Sequence, residues 1–242
     1  HDRYRRQRQM CIRDSPISLS QYLEKMPDTQ KEIYYISAET SAQALASPHL
    51  EGFKSKNIPV LIMTDAIDQF WLPMVGSFKE KKFTSITQGK INLDELDSKN
   101  KDKKNKSNND KDKQDKEYVD LIAQLKVVLG DQVKDIRLSS KLTDSPVCLV
   151  ADEGDMDIAM EQLMAQRDTN YKGAPRILEI NGDHSLIKNM KSLLSKKESN
   201  DLVSDAGTLL FEQARLMEGK MPADPAQFSK IMNQFLLKAI PN

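Results

Sequence analysis

The chain is short of most residues that build enzyme centres. It has two cysteines, Cys11 and Cys148, and three histidines in 242 residues. The cysteines stand too far apart for a disulfide framework or a metal-ligand pair. None of His1, His49 and His184 has a Cys or His neighbour at zinc- or iron-binding spacing, so no metal site is expected. Cys148, between Val147 and Leu149, reads as an inert packed thiol, and His184 as a capping or surface residue. No Gly-x-Ser-x-Gly elbow, phosphate loop or GxGxxG occurs, so no catalytic residue is assigned. Net charge is missing too: 36 basic residues balance 36 acidic ones, which argues against a nucleic-acid partner. The longest strand-like apolar run, IPVLIM at Ile58–Met63, is far shorter than the roughly 20 residues of a membrane-spanning helix, and no secretory signal is evident. These absences point to a reducing cytoplasm.

What is present divides the chain by composition. Residues 1–15, HDRYRRQRQMCIRDS, are arginine-rich and lack a helix or strand period; they read as an artefactual or foreign leader. Residues 16–96 alternate strand and helix. EIYYIS and KKFTSIT are β-rich, and IPVLIMT is apolar throughout, as in a strand covered on both faces. Thr40 or Ser41 caps a helix that Pro48 ends or kinks, and Asp65 caps the next. This β-α-β-α-β order predicts a small parallel sheet with packed helices. Residues 97–117 contain only Asp, Glu, Lys, Asn, Gln and Ser and read as a disordered charged linker. Residues 118–242 read as a second, mixed α+β domain. The expected fold is thus α/β, then α+β.

In that second domain Tyr118 to Leu129 follow a helical period that Gly130 closes. VKDIRLS and SPVCLVA are expected to pair antiparallel across a short connection. RILEIN is a further strand, and Asp183 is expected to cap the helix after it. After SPVCLVA, Asp155 or Glu153 is expected to start a helix placing Met156, Met160, Leu163 and Met164 on one face. Methionine suits surfaces that fit many partners. The period alone leaves that face open between core and binding surface. Phe70 and Trp71 are adjacent on a short helix and point about 100° apart, so one of them is expected at the surface. Two amphipathic helices end the chain: Leu209, Leu210 and Met217 lie on the first, and Phe228, Ile231, Met232, Phe235 and Leu236 on the second. Asp224-Pro225 starts the second. A symmetric bundle of these helices with a second copy would bury their apolar faces; packing on their own domain alone is the other reading.

QKEIYYISAET, SPHLEGFKSKNIPVLIMTDAIDQF, VKDIRLSSKLTDSP and DPAQFSKIMNQFLL, in that order, resemble the heat-shock protein 90 family of ATP-dependent chaperones, most of all its bacterial members. The resemblance implies that 16–96 is the small α/β end of a middle domain and 118–242 a dimerisation domain. It implies client contacts at Phe70, Trp71, Met156, Met160, Leu163 and Met164, and a homodimer through the terminal helices. The parent would use ATP and Mg²⁺. Its ATPase domain is expected to be missing from this piece, which therefore carries no cofactor of its own. Clients would be unfolded or partly folded proteins, with other chaperones as further partners and no membrane. A stand-alone dimerisation or adaptor module without a client role is the alternative.

Overall fold

The computed structural model describes residues 9–10, 17–27, 29–89, 91–93, 104–167, 173–195 and 200–240. Contacts group the chain into two compact units. The first holds residues up to Lys104, with Ser140–Thr143 and Val150–Ala174; the second holds Asn105–Ser139, Asp144–Leu149 and Pro175 onward. This grouping differs from the boundaries drawn from composition, because 150–174 packs with the earlier region.

In the first unit the elements are β1 (Gln9–Met10), α1 (Leu19–Lys25), β2 (Ile33–Ser37), α2 (Ser41–Leu45), α3 (Glu51–Ser55), β3 (Leu61–Met63), α4 (Asp68–Val75), β4 (Ser77–Phe78) and β5 (Lys81–Ser85). The sheet order is β1-β3-β2-β5-β4. The three expected strands are its parallel centre: Tyr35 pairs with Leu61 on one side and Ser85 on the other. The sheet as a whole is mixed, not parallel, since β1 and β4 add antiparallel edges. The leader therefore supplies a short edge strand at Gln9–Met10, against the expectation of no strand there. An open edge such as that of β3 accepts any extended pair of residues. The rest of residues 1–15 lies outside the described residues.

Local signals set the helix ends. Thr40 caps α2 through a bond from the Gln43 amide, and Pro48 sits in a 3₁₀ turn between α2 and α3. Asp65 accepts from the Ile67 amide, yet α4 begins only at Asp68. Two apolar layers sandwich the sheet, one around Tyr34, Phe53 and Ile62, the other around Tyr22, Leu61 and Phe83. Gly52 is needed for close packing: a Cβ there would lie 2.5 Å from the Lys141 carbonyl oxygen. Lys141 is itself buried, and its ammonium donates to the Ile86 carbonyl at 3.1 Å.

The remaining elements are α5 (Lys104–Leu129), β6 (Val133–Leu138), β7 (Val147–Val150), α6 (Ile158–Arg167), β8 (Arg176–Ile180), α7 (Ser185–Ser195), α8 (Asn200–Met217) and α9 (Pro225–Ala239); α6 belongs to the first unit. Disorder was expected over 97–117, but the backbone is helical from Lys104; residues 97–103 lie outside the described residues. Lys, Gln and Glu are adequate helix formers, so a helix nucleated by the packed Tyr118–Leu129 turns can extend toward the N-terminus. The expected antiparallel pair of 133–139 and 145–151 does not form. β8 lies between β6 and β7 and runs parallel to β6. RILEI is buried at all five positions and takes the covered centre, as an all-buried strand should. α5, α7 and α8 pack on this sheet around Leu121, Leu125, Leu178, Ile187, Leu210 and Phe211. Glu179, buried in β8, is paired with the Arg137 guanidinium at 2.8 Å and accepts a hydroxyl bond from Ser139 at 2.8 Å, as a buried carboxylate needs. His184, not Asp183, meets the start of α7, its Nδ1 accepting from the Leu186 amide.

Candidate functional site

Two apolar surfaces stand out, one in each unit. In the first, α4 presents two aromatics differently. Trp71 turns to the sheet: its ring meets Phe83 edge-on at 5.7 Å, and its Nε1 donates to Asp68 Oδ1 at 2.6 Å. Phe70 is half-exposed and lies 6.0 Å from the Arg167 guanidinium of α6, a cation–π separation. Neither aromatic is fully exposed, against the expectation from adjacency: both are part-buried, and of the two Trp71 is the one packed on the core cluster. Beside it are three apolar side chains that sequence reasoning passed over. Ile67 is 62% exposed, Met74 86% and Val75 52%. Their signal was available: Ile67, Phe70 and Met74 follow a three- and four-residue spacing.

The methionine segment differs from expectation at its start. Helix α6 begins at Ile158, so Met156 precedes it and is exposed. Neither Asp155 nor Glu153 starts it; Asp157 does, accepting from the Ala159 amide through Oδ1 at 2.9 Å. The buried positions on α6 are Ile158 and Glu161, while Met160, Leu163 and Met164 are half-buried. The four residues thus do not share one helical stripe. Three ride on the flank of α6, and the fourth stands in the turn before it. Asp157 Oδ2 also accepts hydroxyl bonds from Ser85 at 2.5 Å and Thr87 at 2.8 Å. Gln88 Nε2 donates to the Asp155 carbonyl at 2.6 Å, and Ala151 bridges Gln88. These bonds bring α6 into the same unit as Phe70. Burial, the Asp157 charge and, in opposition, a bond with Ser85 act on Tyr35, whose hydroxyl is pushed well above the ordinary tyrosine value; it stays protonated.

In the second unit α8 and α9 form the other surface. Glu212 accepts from the Ala223 amide at 3.1 Å, and Arg215 donates to the Met221 carbonyl at 3.0 Å, which fixes the turn between them. Asp224 caps α9, with Pro225 in its first turn. α9 has two apolar faces. Ile231 is 5% exposed and Phe235 packs on the core of its own unit, with Phe228 half-buried. Leu210 of α8, also 5% exposed, is core as well. Leu210 and Ile231 are thus covered internally, a correction to their assignment to the dimer face. The reason is that a single amphipathic period cannot tell which neighbour covers it. The open face is Met217 at 48% exposure, Met232 at 40% and Leu236 at 50%, extended by Leu237 and Ile240. Leu209 is half-buried. Met232, Leu236 and Ile240 repeat every four residues, so the last two turns were legible in the sequence.

Among the described residues, no group of three or more His, Cys, Asp or Glu is placed to hold a metal ion, and no helix is long and apolar enough to cross a membrane.

The family model described as "Hsp90 protein" matches residues 6–241. The chain is 39% identical over 225 residues to "Chaperone protein HtpG" of Roseobacter denitrificans, covering 92% of this chain and 36% of that protein. It is 35% identical over 219 residues to the HtpG of Streptomyces coelicolor, covering 90% and 33%. It is 37% identical over 223 residues to that of Wolbachia pipientis, covering 92% and 34%. The chain thus spans about a third of the length of the curated relatives it matches. With almost its whole length covered by the family match, the chain belongs to the Hsp90 family.

Proposed function

We propose that this chain is the client-holding and dimer-forming part of a bacterial HtpG-type chaperone. The observation that carries this reading is a pair of exposed apolar surfaces of different make in a chain of the Hsp90 family. Phe70, Met74, Met156 and the flank of α6, together with Trp71 beneath them, would cover apolar segments of unfolded or partly folded proteins. Met217, Met232, Leu236, Leu237 and Ile240 would meet their copies on a second chain, Leu209 lying at the rim and Phe228 and Phe235 backing α9 from within. Large apolar groups at this spacing are anchors of the kind that dominate interface energies.

In the whole protein, ATP and Mg²⁺ would drive the clamp through parts outside the matched third, in the cytoplasm, with other chaperones as further partners. A dimerisation or adaptor module without clients has no use for the exposed Phe70–Met74 surface. Sedimentation of the purified chain at micromolar concentration tests the dimer, which should sediment at twice the monomer mass; a monomer would remove the terminal-helix part of the reading.

A further inference from the structure

We propose that Asp157 is a latch: its second carboxylate oxygen ties helix α6 to strand β5 and so positions Met160, Leu163 and Met164. The functional consequence rests on the client-holding reading above; the latch itself does not.

An ordinary N-cap uses one oxygen. Asp224 is the example within this chain: its Oδ1 alone accepts from the Ala226 and Gln227 amides at 3.0 and 2.9 Å. Asp157 does the same local task with Oδ1, taking the Ala159 amide. Its Oδ2 is then directed to residues about seventy positions earlier. Ser85 and Thr87 both donate hydroxyl bonds to it. Their two oxygens are 2.9 Å apart, and both residues are buried. Without the carboxylate, two buried hydroxyls would lose a charged acceptor, and such bonds are about twice as strong as neutral ones.

The last turn of α6 makes contacts of a different kind. Gln166 reaches Glu39 at 3.1 Å in an exposed contact, and Arg167 lies over Phe70. The first turn is thus tied to the sheet by Asp157, while Glu161, buried in mid-helix, accepts from the Ala174 amide at 3.5 Å. Oδ2 sets the register of α6 on the sheet, and with it the place of the three half-buried apolar side chains next to Phe70. A different residue at 157 that still capped the helix would keep α6 helical and lose its place. Ser85, Thr87 and Asp157 are positioning residues.

The test is hydrogen exchange by mass spectrometry on the full chain, with the double variant Ser85→Ala, Thr87→Val. It removes both donors and leaves the cap intact. Exchange over residues 159–167 should rise roughly tenfold, the combined net size of two hydrogen bonds at about threefold each, while β2, β3 and α9 keep their native rates. Thr87→Ser keeps a hydroxyl and should keep native rates throughout. Should the double variant not fold, Thr87→Val alone should raise the same amides about threefold. Native rates over 159–167 in the donor-deleted variant overturn the latch, as does an equal rise across the whole first unit. Binding of reduced, carboxymethylated α-lactalbumin is measured in parallel. A changed affinity together with faster α6 exchange supports the latch and its role. Faster exchange with unchanged affinity leaves the latch standing and overturns the client reading of α6.

Discussion

The apolar surface around α4 and α6 and the one on α8 and α9 are built by opposite rules. The second is regular. Met232 and Leu236 stand four residues apart on a fifteen-residue helix, with Ile240 at its C-cap, and an aliphatic ridge of this kind can pack against a copy of itself. The first is irregular. Phe70 and Met74 sit on an eight-residue helix interrupted by Pro73, Met156 stands in a turn, and Met160, Leu163 and Met164 flank a helix held by polar bonds. Flexible thioethers on such a surface favour loose adaptation to varied partners over one fixed fit. A regular face suits one partner and an irregular face many.

The largest expected effect breaks the regular face from inside. Ile231→Ala removes a buried side chain from α9 and should destabilise the second unit by roughly 2–4 kcal/mol, read by chemical denaturation. Leu236→Asp with Ile240→Asp touches only the exposed face. It should weaken self-association by on the order of 3 kcal/mol at unchanged helicity, read by sedimentation and circular dichroism. Phe235→Asp would confuse the two, because Phe235 packs on its own core. If the exposed pair cost fold stability as Ile231 does, the distinction between the two faces of α9 would be lost.

On the irregular surface the effects should be smaller. Trp71→Ala removes the contact with Phe83 and should cost the first unit about 2 kcal/mol. Phe70→Ser with Met74→Ser should leave stability within about 0.5 kcal/mol and weaken binding of an unfolded polypeptide roughly fivefold, measured by fluorescence anisotropy. Equal stability losses from the two variants would show that Phe70 is core.

The smallest effect concerns charge in the second unit. Burial opposes ionisation of Asp135, but the Lys126 bond at 2.5 Å, the Ile136 amide and the Lys126 and Arg137 charges outweigh it and lower its value. A lowered carboxylate adds stability that is present above its unfolded value and lost as pH falls through the folded one. Asp135→Asn should therefore remove that contribution at neutral pH, by well under 1 kcal/mol at this exposed pair, and flatten the acid limb of the stability curve, with little change at pH values below the folded-state titration.

Reading the residues in order went far where the signal was local. Thr40, Pro48, Gly130 and Asp224-Pro225 stopped or started helices where expected, because capping depends on a few neighbouring atoms. The three central strands of the first sheet were legible in their β-branched and apolar runs. The order β6-β8-β7 was not, since strand neighbours are chosen by long-range burial and any of three apolar segments can fill the centre. The methionine segment failed for a similar reason. Its spacing was correct for a helix, but Asp157, not Asp155 or Glu153, meets the helix start, and it also bonds Ser85 and Thr87, which lie about seventy residues away along the chain.

The sequence by itself determined which segments are amphipathic, where most helices begin, and that the family is that of Hsp90, since these depend on residue type and order along the chain. Only the tertiary structure decided which face of α9 is open, which of Phe70 and Trp71 packs on the core, and that residues 150–174 pack with the earlier unit. Those outcomes depend on what lies across space from each side chain, and a period along the chain carries no record of its neighbour.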